Sequence, residues 1–124
     1  MTEPERWSWE SLRAFALSLG LPHVTDAVSW GQPNLKAHGR MWVWWSPQEQ
    51  VPCFKMVSRA DRDFYLEVDP DSFFVTPHYA PHPLLLVRTA RLEPDWARQT
   101  LEKSWRAMAP RTVLKAWDAR PADG

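Results

Sequence analysis

The stretch that decides the fold is Trp30-Gly31-Gln32-Pro33-Asn34-Leu35-Lys36-Ala37-His38-Gly39-Arg40-Met41-Trp42-Val43-Trp44-Trp45-Ser46. It holds two β-like segments, Asn34 to Ala37 and Met41 to Ser46, and the pair His38-Gly39 between them suits a hairpin turn. Large apolar side chains occupy both faces of the second segment. We therefore expect that strand to be covered on both sides or to carry one functional face. Strict alternation predicts that Trp42 and Trp44 share one face and that Trp45 lies on the other.

Helical and β-like segments alternate on either side of this stretch. Apolar spacing and capping residues predict helices over 8–19, 59–68 and 94–108, with a last helical turn or two over 111–117. Further β-like stretches cover 24–30, 51–57, 73–76 and 84–92, and the second of these should begin after Pro52. The order helix, strands, helix, strands, helix favours an α+β domain over parallel βαβ winding. We predict an antiparallel sheet of about five strands with the first and last helices packed on the same sheet face.

Composition fits one compact domain over 1–124, with a core over residues 8–118. Fifteen basic residues balance fifteen acidic ones. This balance removes the strongest compositional argument for binding nucleic acid or an anionic membrane, which is a large basic excess. No apolar run reaches about 18 residues, so we expect no membrane segment. The lone Cys53 lies in an apolar stretch with no base beside it, so we expect a buried, inert thiol in a reducing, cytoplasmic compartment.

Three ordered motifs resemble the MmcQ/YjbR family over residues 10–117. The opening stretch is similar to the family's WGxPxF and GKxFAW runs, Phe73 to Arg88 to its FxVTPHY and VLVRL runs, and Ser104 to Arg111 to its SWR and APK close. The resemblance implies a small bacterial protein with a two-layer fold of the order α-β(3)-α-β(2)-α. It also implies a DNA-binding role, with no catalytic activity established for the family as a whole. Here Ala80-Pro81 stands where the family usually has a glycine-containing loop.

The zero net charge hides two basic and two acidic segments. Residues 31–62 carry five basic and two acidic groups, and residues 96–124 carry six and three. If these segments converge, they form a basic patch interleaved with tryptophans, in which cations neutralise phosphates and aromatic rings stack on bases. The expected nucleic-acid-binding residues are Lys36, Arg40, Lys55, Arg106 and Arg111. The alternative is that these cations only solvate the surface.

A second candidate site surrounds His78, at the end of a predicted strand. The resemblance points to His78 and Tyr79 lining a concave surface with Arg88 and Trp105, where a small anionic ligand would bind. Two alternatives stay open: His78 bonds a backbone carbonyl and stiffens its turn, and Trp105 belongs to the apolar stripe of the last long helix. His78 and His82 are four residues apart, but the prolines around them prevent a helix, so we expect no metal site and no cofactor.

These observations leave two main classes of function. The first is a non-catalytic protein that binds DNA weakly, and no pair of nucleophile and base can be named that would make it an enzyme. The second is a protein-interaction or chaperone-like module, because the fold it resembles is shared with small secretion chaperones. Binding of a small anion near His78 is a third. The expected partners are DNA or a protein, and the expected state is a monomer or weak homodimer.

Overall fold

A computed structural model describes residues 7–121, so residues 1–6 and 122–124 of the predicted 1–124 domain lie outside the described range. Within it the chain forms four α-helices, six strands and one 3₁₀ turn. In chain order these are α1 Trp9–Ser18, β1 Val24–Ser29, β2 Gln32–Ala37, β3 Arg40–Trp45, β4 Pro52–Lys55, α2 Arg59–Val68, β5 Phe73–Phe74, β6 Leu84–Val87, the 3₁₀ turn Thr89–Arg91, α3 Pro94–Met108 and α4 Arg111–Asp118.

The strands form one antiparallel sheet in the order β1-β2-β3-β4-β6-β5. The α+β class is confirmed, with six described strands instead of about five and with four strands, not three, between α1 and α2. β4 begins at Pro52 rather than after it, and the predicted strand over 84–92 ends at Val87, where a 3₁₀ turn follows.

Local chemistry explains where the elements begin and end. Ser8 caps α1 through a hydrogen bond from the Ser11 backbone N–H, and Ser58 caps α2 in the same way. Pro94 occupies the first turn of α3, where its missing N–H costs no helical hydrogen bond. The β1–β2 turn needs positive φ at both central residues, and Trp30 and Gly31 supply φ values of 50° and 77°.

The helices cover one face of the sheet, as predicted. The larger core cluster joins α1, α3 and the sheet, and partly buried residues of α2 and α4 pack against it. We call this the helix-side core; its fully buried members include Leu12, Leu35, Trp42, Leu101 and Trp105. A smaller cluster of Trp44, Cys53, Tyr79 and Leu86 lies apart from it and contains no described helix residue.

The prediction that Trp42 and Trp44 share a face is wrong, because β3 contains a β-bulge. Leu35 of β2 pairs with Val43 and the next residue, Lys36, pairs with Met41, so Trp42 is the extra residue. The bulge places Trp42 and Val43 in the helix-side core together, while Trp44 belongs to the smaller cluster and Trp45 packs on the helix side. The strand is therefore covered by helices on one face and has a different surface on the other.

Candidate functional site

The face of the sheet opposite the helices carries a groove with a volume of about 650 Å³. This sheet-face groove lies between the β1–β2 turn, strands β3 and β4, and the loop 77–83. Its volume falls in the ~300–1,000 Å³ range typical of small-molecule sites. Its lining residues are Ser29, Trp30, Gln32, Arg40, Met41, Trp44, Pro47, Gln48, Lys55, His78, Tyr79, His82, Pro83 and Leu84.

The loop 77–83 forms one wall of the groove, and Tyr79 fixes it to the β3–β4 connection. The Tyr79 hydroxyl lies 2.9 Å from Ser46 Oγ and donates to Gln48 Oε1 at 3.1 Å. Tyr79 is buried, so its ring supports the wall more than it faces a ligand. His78 is exposed and packs edge-on against Tyr79, with ring centroids 4.8 Å apart. None of the described hydrogen bonds involves the His78 imidazole. None of them therefore supports the alternative that His78 bonds a backbone carbonyl and stiffens its turn.

Arg62 of α2 holds the same loop from behind, and the sequence analysis missed it. Its guanidinium donates to the backbone oxygens of Ala80 at 2.9 Å and His82 at 2.7 Å. The side chain is almost fully buried, and its ion-pair partner Asp63 is exposed. The available signal was spacing: Arg62 precedes Tyr65 and Leu66 by three and four residues, which places an arginine in the buried stripe of the helix.

Two of the five predicted DNA-binding cations line the groove, and a third lies beside it. Arg40 and Lys55 are lining residues, and none of the ion pairs formed within residues 7–121 includes either of them. Partial burial, followed by the nearby Arg40 charge, lowers the pKa of Lys55. Lys36 pairs with Met41, and since its neighbours Leu35 and Ala37 belong to the helix-side core, it faces the groove side.

Arg106 and Arg111 lie on the opposite layer, so the five cations do not converge as expected. Arg106 belongs to α3 and Arg111 to α4, and both helices pack on the helix-side core. The Arg106 guanidinium is also engaged by Asp118, with two hydrogen bonds of 3.0 and 2.9 Å. This bidentate contact holds the pKa of Asp118 below its usual range. The sheet therefore separates Arg106 and Arg111 from the cations of the groove.

Two of the four residues expected around His78 also lie elsewhere. Trp105 is fully buried in the helix-side core, where its indole N–H donates to the Pro22 carbonyl at 2.8 Å. The alternative that Trp105 is a core residue therefore agrees with its position. The Arg88 guanidinium lies over the Phe74 ring, 4.6 Å from its centroid, and is not among the lining residues of the groove.

The rim of the groove carries the most exposed tryptophan of the described chain. Trp30 is 91 % exposed at the tip of the β1–β2 turn, whereas Trp44 on the floor is only 8 % exposed. Trp30 was not predicted as a site residue from the sequence. The groove thus combines an exposed aromatic rim, an apolar floor and two free cations, and no carboxylate of residues 7–121 lines it.

The structure also bears on the reactivity of Cys53 and on metal binding. Burial raises the pKa of the Cys53 thiol, which is fully buried, and this favours the neutral form. Within residues 7–121, no group of three or more His, Cys, Asp or Glu side chains is arranged to hold a metal ion. In the same range no helix is long and apolar enough to cross a membrane.

Fold and site together define a two-layer α+β domain with a ligand-sized groove on its open sheet face. The YjbR family model matches residues 19–107, well over half of the chain, so the chain belongs to the YjbR family. The resemblance noted in the sequence is thereby confirmed. No curated protein and no solved structure gives a significant match to the chain.

Proposed function

We propose that this protein binds DNA without catalysing a reaction and that the sheet-face groove is the binding site. The observation that carries the proposal is the meeting of Arg40 and Lys55 in one groove that holds no described carboxylate. Two uncompensated cations attract an anion, and phosphate is the anion that DNA presents along its length. Lys36 extends the positive charge along the same sheet face.

The partial burial of Lys55 supports an anionic ligand on energetic grounds. Its pKa is lowered because the ammonium group has lost part of its hydration and lies near Arg40. A phosphate placed between these two cations would offset both effects, so bound DNA would raise the pKa of Lys55.

The binding should be weak, because only three of the five predicted cations are on this side of the sheet. Arg106 is paired with Asp118 on the helix layer, and Arg111 lies on the same layer. Non-specific DNA binding through a few phosphate contacts falls at about 10⁻⁴–10⁻⁶ M at physiological salt. We place this protein in that range.

A small organic anion is the second candidate, and the concave shape of the site favours it. The groove encloses about 650 Å³ and has an apolar floor of Met41, Trp44 and Leu84. An anion with an apolar body would bury its body on this floor and its charge against Arg40 and Lys55. Such a ligand would compete with DNA for the same residues.

Fluorescence anisotropy with labelled DNA tests the proposal. At about 20 mM salt, where electrostatic contacts are least screened, the wild-type protein should bind DNA measurably. The double variant Arg40→Glu, Lys55→Glu should lose this binding. The matched control Arg106→Glu, Arg111→Glu makes the same charge change on the helix layer and should keep it. If the wild type binds neither single-stranded nor duplex DNA at this salt, or if the control loses as much affinity as the groove variant, the proposal is wrong.

A further inference from the structure

We propose that the groove selects unpaired DNA, with one base stacked on Trp30 and its phosphate held between Arg40 and Lys55. This inference rests on the proposed DNA binding and adds the strand state and the residue that contacts the base. The three side chains line one groove, in which Trp30 and Arg40 are exposed and Lys55 is half-buried.

The placement of Trp30 indicates a contact surface rather than a packing role. The side chain is 91 % exposed, and none of the described ring contacts includes it. Its φ of 50° is also a left-handed conformation, which residues other than glycine adopt at a cost. A large apolar ring in a strained and solvated position gains nothing from the folded core. Stacking on a flat ligand would give it buried surface.

The shape of the groove separates unpaired from paired DNA. Proteins that recognise duplex DNA insert a convex helix or β-ribbon into its grooves. Here Arg40 and Lys55 line a concave groove, which is not the convex shape that enters a duplex groove. In a duplex the base faces are also covered by their stacked neighbours, so only an unpaired base can offer its face to Trp30.

The chemistry also predicts tolerance of base sequence. Every base has a flat aromatic face, and stacking on a tryptophan does not depend on the hydrogen-bonding edge of the base. The shared chemistry of the ligand is a base with a phosphate attached, which a single strand and a free nucleotide both offer. The groove accommodates both a single strand and a free nucleotide, so the experiment tests each of them.

The test compares three labelled ligands of equal length: an oligothymidylate of about thirty nucleotides, its abasic counterpart and its duplex with oligoadenylate, which at this length stays paired at low salt. The abasic strand keeps the phosphates and lacks the bases. We expect the oligothymidylate to bind about 5- to 150-fold more tightly than the abasic strand, the range that corresponds to one stacked base. The duplex should bind more weakly than the oligothymidylate.

The variant Trp30→Ala should remove the difference between the oligothymidylate and the abasic strand while leaving abasic binding unchanged. Phe64→Ala is the matched control, since Phe64 is 58 % exposed on α2 and does not line the groove. It should bind all three ligands as the wild type does. Equal affinities for oligothymidylate and abasic strand in the wild type, or a duplex affinity as high as the single-strand affinity, would overturn the inference and leave the DNA-binding proposal standing.

Two further outcomes separate the remaining possibilities. If none of the three ligands binds at low salt, the proposed DNA binding fails and the inference falls with it. If free thymidine monophosphate displaces the oligothymidylate at an equal or lower nucleotide concentration, the free nucleotide is the ligand and the single-strand inference is overturned. Displacement only at far higher concentration supports the strand.

Discussion

Cys53 shows how burial decides the chemistry of a single residue. It lies in β4 at the centre of the smaller cluster, next in the sheet to Trp44 and Leu86, with no exposed surface. A thiolate in such surroundings would lose its hydration, so the thiol stays protonated. The sequence allowed this prediction because apolar neighbours flank the cysteine in the chain.

The protonated state of Cys53 predicts a loss of stability at alkaline pH. Below the unfolded pKa of 9.0 the thiol is protonated in both states and its contribution is unchanged. Above that value the unfolded chain releases the proton and the folded chain keeps it. The free energy of unfolding should then fall by about 1.4 kcal/mol per pH unit through this group. Urea titrations between neutral and alkaline pH measure the slope.

Cys53→Ala supplies the control for this prediction, because it removes the titrating group. The variant should lose stability less steeply above pH 9.0 than the wild type does. Thiol reagents should label the native wild-type protein only as it unfolds. Rapid labelling at neutral pH, or equal slopes in the two proteins, would contradict the buried protonated thiol.

At the scale of elements, the loop 77–83 depends on contacts that no local pattern contains. Tyr79 reaches across to Ser46 and Gln48, while Arg62 reaches the loop from a helix that lies earlier in the chain. Prolines make the loop stiff, but its position is set by these long-range hydrogen bonds. The stability of this wall of the groove therefore depends on the hydrogen bonds of Arg62 and Tyr79.

Replacing Arg62 should loosen the groove wall. Arg62→Met removes the hydrogen bonds from the guanidinium to the backbone oxygens of Ala80 and His82, and one hydrogen bond to a charged group contributes about 1.5–3 kcal/mol. We expect a loss of that order in unfolding free energy and faster amide hydrogen exchange in residues 77–83. Arg59→Met is the control on the same helix, since Arg59 is exposed and belongs to none of the described ion pairs. Unchanged exchange in the loop of the Arg62 variant would show that Tyr79 alone positions it.

The elements themselves were largely predictable, and their relative positions were not. Caps at Ser8 and Ser58, the proline at the start of α3 and the turn at His38-Gly39 depend on nearby residues, so the sequence contains their signals. The bulge at Trp42 depends on how β2 and β3 pair, which alternation along one strand does not reveal. A single unpaired residue was enough to move that ring to the helix side.

At the scale of the whole molecule, the sheet divides the positive charge into two surfaces. Arg40 and Lys55 came together because β3 and β4 are neighbours, whereas Arg106 and Arg111 belong to helices on the other layer. Counting charges by segment found the basic stretches but could not tell which layer each would join. The candidate site was therefore half predicted: its groove cations and His78 and Tyr79 were named, and Trp30 and Arg62 were not.

This division predicts the salt dependence of DNA binding. With Lys36, Arg40 and Lys55 as the contacting cations, the logarithm of the single-strand binding constant should fall with the logarithm of salt at a slope of about −2, at about 0.7 counterions per phosphate. Anisotropy titrations over a salt series give the slope. Lys36→Gln should make it shallower by about 0.7, and Arg111→Gln should leave it unchanged. A slope near −4, or one that responds to Arg111, would place the helix-layer cations in the contact.

The strand order has a consequence for how quickly the protein reaches its native state. Strands β1 to β4 pair in chain order, so each contact closes only a short loop and costs little entropy. β6 reaches β4 only across α2 and β5, which makes this pairing the most distant in the sheet. We expect the four-strand meander to form early and the docking of β6 to limit the folding rate. Because the loop 77–83 leads directly into β6, the sheet-face groove is completed only as folding finishes.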